Sequence, residues 1–260
     1  KNIIAAIALS AAVIVLYGLF FAPSQDDLKN LSNQANQKDK VINESDAPSI
    51  DEEVKIKNIS RDEAINSEDR IFFENEFIKG SISLAGGFID DLELKTYNKT
   101  LNSEEKIKLL NPSLTNEGYA FNTGWATKLN TNTPKSDTVW IAETSNKLSP
   151  NNPIKIYFEN DDGIRFERII SIDNKYLFSV KQTVINKSDI SFKLYPYATI
   201  NRNNLPSDLT DFYILHEGYT LISGDSLEEV DYDDVEEKKF STEGTTGVLI
   251  QGDKYWMTSI

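Results

Sequence analysis

The spacing of apolar and polar residues divides the chain into three stretches. From Ile3 to Ala22 there is no charge, and eleven of the twenty residues are Ile, Leu, Val or Phe, among them Ile3, Ile7, Val13, Leu16 and Phe20. At ~1.5 Å per residue, a helix of this length reaches ~30 Å, the thickness of a bilayer's hydrocarbon core. Its apolar side chains favour insertion by roughly 3 to 6 kcal/mol. A cleaved signal peptide has a shorter apolar region and ends in a small-x-small site. Here Phe20-Phe21-Ala22-Pro23 sets a bulky ring where a small residue is needed, so residues 1–22 are expected to be an uncleaved transmembrane anchor. Lys1 precedes the span and Asp26 and Asp27 follow it. The positive-inside rule then places the N-terminus in the cytoplasm and the rest outside.

Residues 23–68 are dominated by Asn, Gln, Ser, Asp, Glu and Lys, with no aromatic residue between Phe21 and Phe72. This composition cannot bury a core and reads as a flexible polar linker, with an r.m.s. reach of roughly 35–40 Å. Ser60-Arg61-Asp62-Glu63 fits the S-x-x-E capping box and predicts a short helix through Ile65. From residue 69 to 260 the period becomes two. Short runs rich in β-branched and aromatic residues alternate with Asn, Asp, Gly and Ser, and no helical run of ten or more competes with them. Strands are expected at Arg70 to Glu74, Ile78 to Leu84, Ile89 to Leu94, Tyr119 to Trp125 and Val139 to Ile141. Four more, Ile154 to Phe158, Ile164 to Arg168, Tyr176 to Asn186 and Ser191 to Ile200, read as consecutive antiparallel strands, the first pair turning at Asn160-Asp161-Asp162-Gly163. The last candidates are Tyr213 to His216, Tyr219 to Ile222, Val248 to Ile250 and Tyr255 to Ile260. Many strands without crossover helices imply an all-β antiparallel sandwich.

Charge and composition then narrow the chemistry. The 260 residues hold 41 Asp plus Glu against 27 Lys plus Arg, a net charge of −14, with no basic patch to neutralise phosphates, so no nucleic-acid partner is expected. The absence of Cys removes disulfides, thiolate metal sites and thiol nucleophiles; a single histidine leaves no paired-His site. No cofactor or metal is expected, nor an enzyme. His216 beside Glu217 suggests a general base and its partner, but neighbours along a strand point to opposite faces, which favours a hydrogen-bonded strand-end histidine. The densest charge run holds Asp225, Glu228, Glu229, Asp231, Asp233, Asp234, Glu236 and Glu237. Counting from Asp231 puts Val235 and Glu236 where an EF-hand loop needs an oxygen ligand and a glycine, so calcium does not fit. The run reads instead as a solvated acidic loop or a docking face for a basic partner. Trp125, Trp140 and Trp256 lie in strand-like runs and are expected in the core.

Several segments, in this order, resemble the N-terminal part of the YidC family of bacterial membrane protein insertases. They are Lys1-Asn2-Ile3-Ile4 before the apolar span, Ser83-Leu84-Ala85-Gly86-Gly87-Phe88-Ile89-Asp90, Gly163-Ile164-Arg165-Phe166-Glu167-Arg168 through Tyr176-Leu177-Phe178 to Val184-Ile185-Asn186, and Gly252-Asp253-Lys254-Tyr255-Trp256-Met257. The resemblance implies a periplasmic β-supersandwich, a twisted two-sheet fold shared with galactose mutarotases. It further implies insertion and folding of nascent inner-membrane proteins, alone or with the Sec translocon, by a later five-helix membrane bundle with a hydrophilic groove. No second apolar run follows Ala22, so the chain is expected to be a piece of a longer protein whose periplasmic domain is cut short at its C-terminal end. The implied location is the inner membrane, with lipid bilayer, nascent chains and Sec components as partners. The alternative is a membrane-anchored carbohydrate-binding module of mutarotase-like fold.

Overall fold

The computed structural model describes residues 55–128, 132–143, 147–189, 191–206, 209, 216–235 and 246–260. The expected anchor, with Ile3, Ile7, Val13, Leu16 and Phe20, lies outside the described residues, as does most of the expected strand from Tyr213 to His216. The first element is helix α1 (Arg61–Asn66), and its start follows from the sequence. Ser60 Oγ accepts the Glu63 amide while Glu63 Oε2 accepts the Ser60 amide, a reciprocal capping box. Residues 55–68, the end of the expected linker, run along the body: the Lys57 amide donates to Leu114 O, and Arg61 reaches Leu110 O, Asn111 Oδ1 and Asp91.

Fifteen strands follow among the described residues. They are β1 (Arg70–Glu74), β2 (Ile78–Ser83), β3 (Ile89–Asn98), β4 (Lys106–Leu110), β5 (Tyr119–Ala126), β6 (Ile141–Ala142), β7 (Lys147–Leu148) and β8 (Ile154–Glu159). The chain continues through β9 (Ile164–Ile172), β10 (Phe178–Asn186), β11 (Tyr195–Arg202), β12 (Gly218–Ser223), β13 (Ser226–Asp231), β14 (Gly247–Gly252) and β15 (Met257–Ser259). The first sheet runs β11-β5-β3-β2-β1-β7 with β4 beside β3, the second β10-β9-β8-β6, the third β13-β12-β14-β15. All pairings are antiparallel except the short parallel contact of β1 with β7. The all-β expectation therefore stands.

Three local expectations change. Strands β8, β9 and β10 form the antiparallel meander, but the fourth member, β11, leaves it and pairs with β5 in the first sheet. The acidic run is not a loop: Ser226–Asp231 is strand β13, paired with β12, and Tyr232–Asp234 is a 3-10 turn. Backbone pairing tolerates the charges because Glu228, Glu229 and Asp231 all remain exposed. Strands β4 and β7 lie in segments without a long alternating run and are held by their neighbours.

The first two sheets share one core. Alternation turns Ile71 and Phe73 of β1 inward, and across from them Ile154 and Ile156 of β8 and Ile164, Phe166 and Ile170 of β9. Phe73 meets Phe178 edge-on at 5.1 Å, and Trp125 meets Phe166 at 5.2 Å. Trp125 and Trp140 are buried and Trp256 packs against the same core.

Inside this apolar layer lies Arg168 of β9, 2% exposed. Its guanidinium donates to Gly87 O at 3.1 Å, Gly86 O at 3.4 Å, Asn122 Oδ1 at 3.3 Å and Thr123 O, and lies 4.2 Å from the Trp140 ring centroid. A second buried cation, Arg70, pairs with Asp90, whose other oxygen accepts the Ser113 amide at 2.9 Å. Burial pushes the Asp90 carboxyl upward, against the pull of Arg70 and that amide. Gly86 and Gly87 both have positive φ, and a Cβ on Gly87 would come within 2.3 Å of Arg168 Nη1. Replacing Arg168 by Met is expected to leave several buried carbonyls unpaired and to cost about 3 kcal/mol or more. Gly87→Ala should cost about 2 kcal/mol through the left-handed backbone and the clash. Urea unfolding of both variants, followed by tryptophan fluorescence, measures the two losses.

Candidate functional site

Strand parity explains the chemistry at the rim of the sandwich. On β1, Ile71 and Phe73 turn inward, so Phe72 between them turns out and is 55% exposed. It lies in an open cleft of about 640 Å³ on the outer side of β1 and β2, walled by Arg61 and Ile65 of α1 and rimmed by Glu74, Lys79, Glu93 and Lys147. Arg61 fixes the helix there through its pair with Asp91, which also accepts Ser81 Oγ at 2.6 Å. The rim is internally paired, Lys79 with Glu93 at 2.9 Å and Lys95 with Glu74 at 2.9 Å; the Lys95 hydrogen bond holds the Glu74 carboxyl below its usual range. An apolar floor with a balanced rim suits an apolar side chain of a polypeptide. Sequence reasoning missed this cleft. Three large apolar residues in a row on a strand, Ile71-Phe72-Phe73, were the available signal, since one of them must face out.

The third sheet carries the acidic residues. Asp225 is in the turn before β13, Glu228, Glu229 and Asp231 are on β13, and Asp233 and Asp234 follow in the 3-10 turn; Glu236 and Glu237 lie outside the described residues. Because β13 is an outer strand, the exposed carboxylates form a row along the sheet's rim rather than a cluster in a loop. His216 joins this row. Its Nδ1 is 2.9 Å from Asp231 Oδ1 and its Nε2 3.3 Å from Tyr219 O, and its chain neighbour Glu217 is buried.

One polar cluster joins this sheet to the sandwich. Arg202 of β11 grips Asp253 with two bonds, 2.5 and 2.8 Å, and also donates to Tyr232 Oη at 3.1 Å; Tyr232 in turn donates to Asp253. The guanidinium lies 4.1 Å over the Tyr119 ring, and Tyr119 Oη meets Thr258. Charge-assisted, bidentate and stacked, this is the strongest form of arginine pairing. Tyr97 and Trp256 add an edge-on ring contact at 4.8 Å.

A family profile for the YidC periplasmic domain matches residues 70–260. A membrane protein insertase YidC from Pelagibacter ubique is 46% identical over all of this chain, which covers 46% of that relative. The Cereibacter sphaeroides protein of the same name is 32% identical over all of the chain and 43% of itself, and the Brucella melitensis one 35% identical over 78% of the chain and 34% of itself. The chain thus spans less than half the length of the curated relatives it matches.

The polar cluster has an alkaline signature. Burial pushes the Tyr119 phenol up to about 12 from 10.0, despite Thr258 and Arg202 pulling it down. The neutral phenol is the form the fold favours, so its contribution is full below about pH 10 and is lost as pH rises toward 12, up to about 3 kcal/mol. Spectrophotometric titration at the phenolate band should show late-titrating tyrosines among the eleven present, and Tyr119→Phe should remove one of them.

Proposed function

We propose, from the premise that this chain belongs to the YidC family of membrane protein insertases and carries its periplasmic domain, that the protein to which it contributes inserts and folds nascent inner-membrane proteins, alone or with the Sec translocon. The observation carrying this is an alignment running through the whole chain, apolar leader included, to a relative named as an insertase. The work is transfer rather than bond chemistry. An unsatisfied backbone group in hydrocarbon costs several kcal/mol, and an insertase lowers that cost by offering a wet route through the lipid. By family resemblance, that route belongs to a membrane bundle later in the protein.

Within this reading residues 1–22 anchor the chain in the inner membrane with the N-terminus cytoplasmic, residues 23–54 are the tether, and the sheets form a β-supersandwich in the periplasm. Its task is interaction. The acidic rim formed by Asp225, Glu228, Glu229, Asp231, Asp233 and Asp234, which Glu236 and Glu237 follow in the sequence, docks a basic face of a Sec component, and the Phe72 cleft takes apolar side chains of passing client segments. The relatives' names favour this over the carbohydrate-binding alternative. Reconstitution of the full-length protein in liposomes should yield protease-protected fragments of a radiolabelled client that empty liposomes do not. Equal protection in both would overturn the insertase reading. A photocrosslinker at Glu229 should yield adducts with translocon subunits that Glu228→Lys with Asp231→Lys diminishes several-fold at low salt; adducts insensitive to these charges would remove the acidic rim from the proposal.

A further inference from the structure

Strand β10 presents an open backbone edge. At its two ends the Asp173 amide donates to Leu177 O at 3.0 Å and the Lys187 amide to Gly163 O at 3.3 Å. Antiparallel pairing alternates, so the odd-numbered residues between them, Ser179, Lys181, Thr183 and Ile185, turn their backbone groups toward β9. The even-numbered residues Phe178, Val180, Gln182 and Val184 therefore aim their amides and carbonyls away from the sheet. Among the described residues nothing on that side takes them. Their side chains hold the strand still: Phe178, Val180 and Val184 pack on the core, and Gln182 Nε2 donates to Gly124 O at 3.0 Å.

The other outer strands are guarded. The bond from the Asn203 amide to Gly118 O fixes the parity of β11 so that Pro196, which has no amide proton, falls on its open side. Strand β13 carries Glu228, Glu229 and Asp231 in six residues, β4 is interrupted by register shifts, and β6, β7 and β15 are two or three residues long. Among the described outer strands only β10 combines nine residues with regular pairing throughout. Its single charge is Lys181, exposed and without an ion-pair partner among the described residues. The neighbouring row shows the contrast: Lys155, across Ile169 from Lys181, is held by Glu143 at 2.9 Å and Glu167 at 3.0 Å.

We propose that β10 accepts an extended polypeptide segment as an added antiparallel strand, apolar and polar residues alternating, with an acidic residue opposite Lys181. This deepens the interaction role given above and rests on it. An added strand bonds to Val180, Gln182 and Val184, and the residue facing Lys181 then occupies a non-hydrogen-bonded pair, where side chains approach most closely. The added strand's inward residues extend the core beside Val180 and Val184.

The probe is a synthetic nine-residue peptide, Thr and Val alternating with a central Glu, titrated into the full 260-residue chain in detergent micelles. Binding should be saturable and should slow amide exchange at Val180, Gln182 and Val184 by about tenfold or more, leaving Lys181 and Thr183 unchanged. A peptide N-methylated at its valines should not bind, whereas one N-methylated at its threonines should. Replacing the central Glu by Lys should weaken binding about five-fold, and Lys181→Glu should restore it. Unchanged exchange, indifference to N-methylation, or closure of the edge by a second copy of the chain would each overturn the proposal. Client insertion by the full-length protein with no peptide bound at β10 would leave the insertase reading standing and remove only this site.

Discussion

The guanidinium of Arg168 organises the sandwich because it is a cation placed where water cannot solvate it. An ion of this size in an apolar layer is tolerated only if fixed dipoles replace its hydration shell. Four oxygen acceptors do so, from Gly86, Gly87, Asn122 and Thr123, with the Trp140 ring beneath. Those acceptors come from the turn before β3 and from β5, both in the first sheet, while the arginine comes from the second. The two sheets are therefore registered by a directional contact as well as by apolar packing, which on its own has no preferred orientation. The glycine pair follows from the same demand, since its carbonyls reach the cation only through a left-handed backbone that leaves no room for a Cβ.

Around this rigid centre the periphery is built differently. The third sheet meets the sandwich through Arg202, Asp253, Tyr232 and Tyr119, with the ring contact of Tyr97 and Trp256 beside them. The cleft over Phe72 depends on α1, which is pinned by Arg61 to Asp91. A binding body needs both kinds of construction: a centre that holds its shape, and a border whose apolar, charged and unpaired groups are left for others.

How much of this could be read in advance varied with physical cause. Alternation placed β1, β8, β9 and β10 because each turns one face to the core, and that leaves a period-two imprint, whereas β2, β3 and β5, buried on both faces over part of their length, were legible from their runs of β-branched and aromatic residues. Helix α1 was legible from Ser60 and Glu63, since a cap is a local interaction. The identity of β13 was hidden: an outer strand that buries only Val230 carries no apolar alternation, and its acids imitated a loop. The departure of β11 was hidden for another reason, because proximity in sequence suggests a hairpin, whereas its partner β5 is chosen by Tyr195–Arg202 lying across Tyr119–Ala126. Arg168 fell on the inward parity of Ile164 and Phe166 and was visible in principle. The cleft and the polar cluster were not, because each gathers residues from strands far apart in the chain.

The passage of β11 back to the first sheet also governs how the domain comes into being. Strand β5 waits unpaired on that flank while the whole meander β8-β9-β10 is made and delivered, so contacts between remote parts of the chain must form late. A polypeptide that emerges from its N-terminal end outward cannot complete its first layer until its second is already present. The two layers must then mature together, and a partly delivered chain exposes the Trp125 side of β5 to any passing hydrophobic surface.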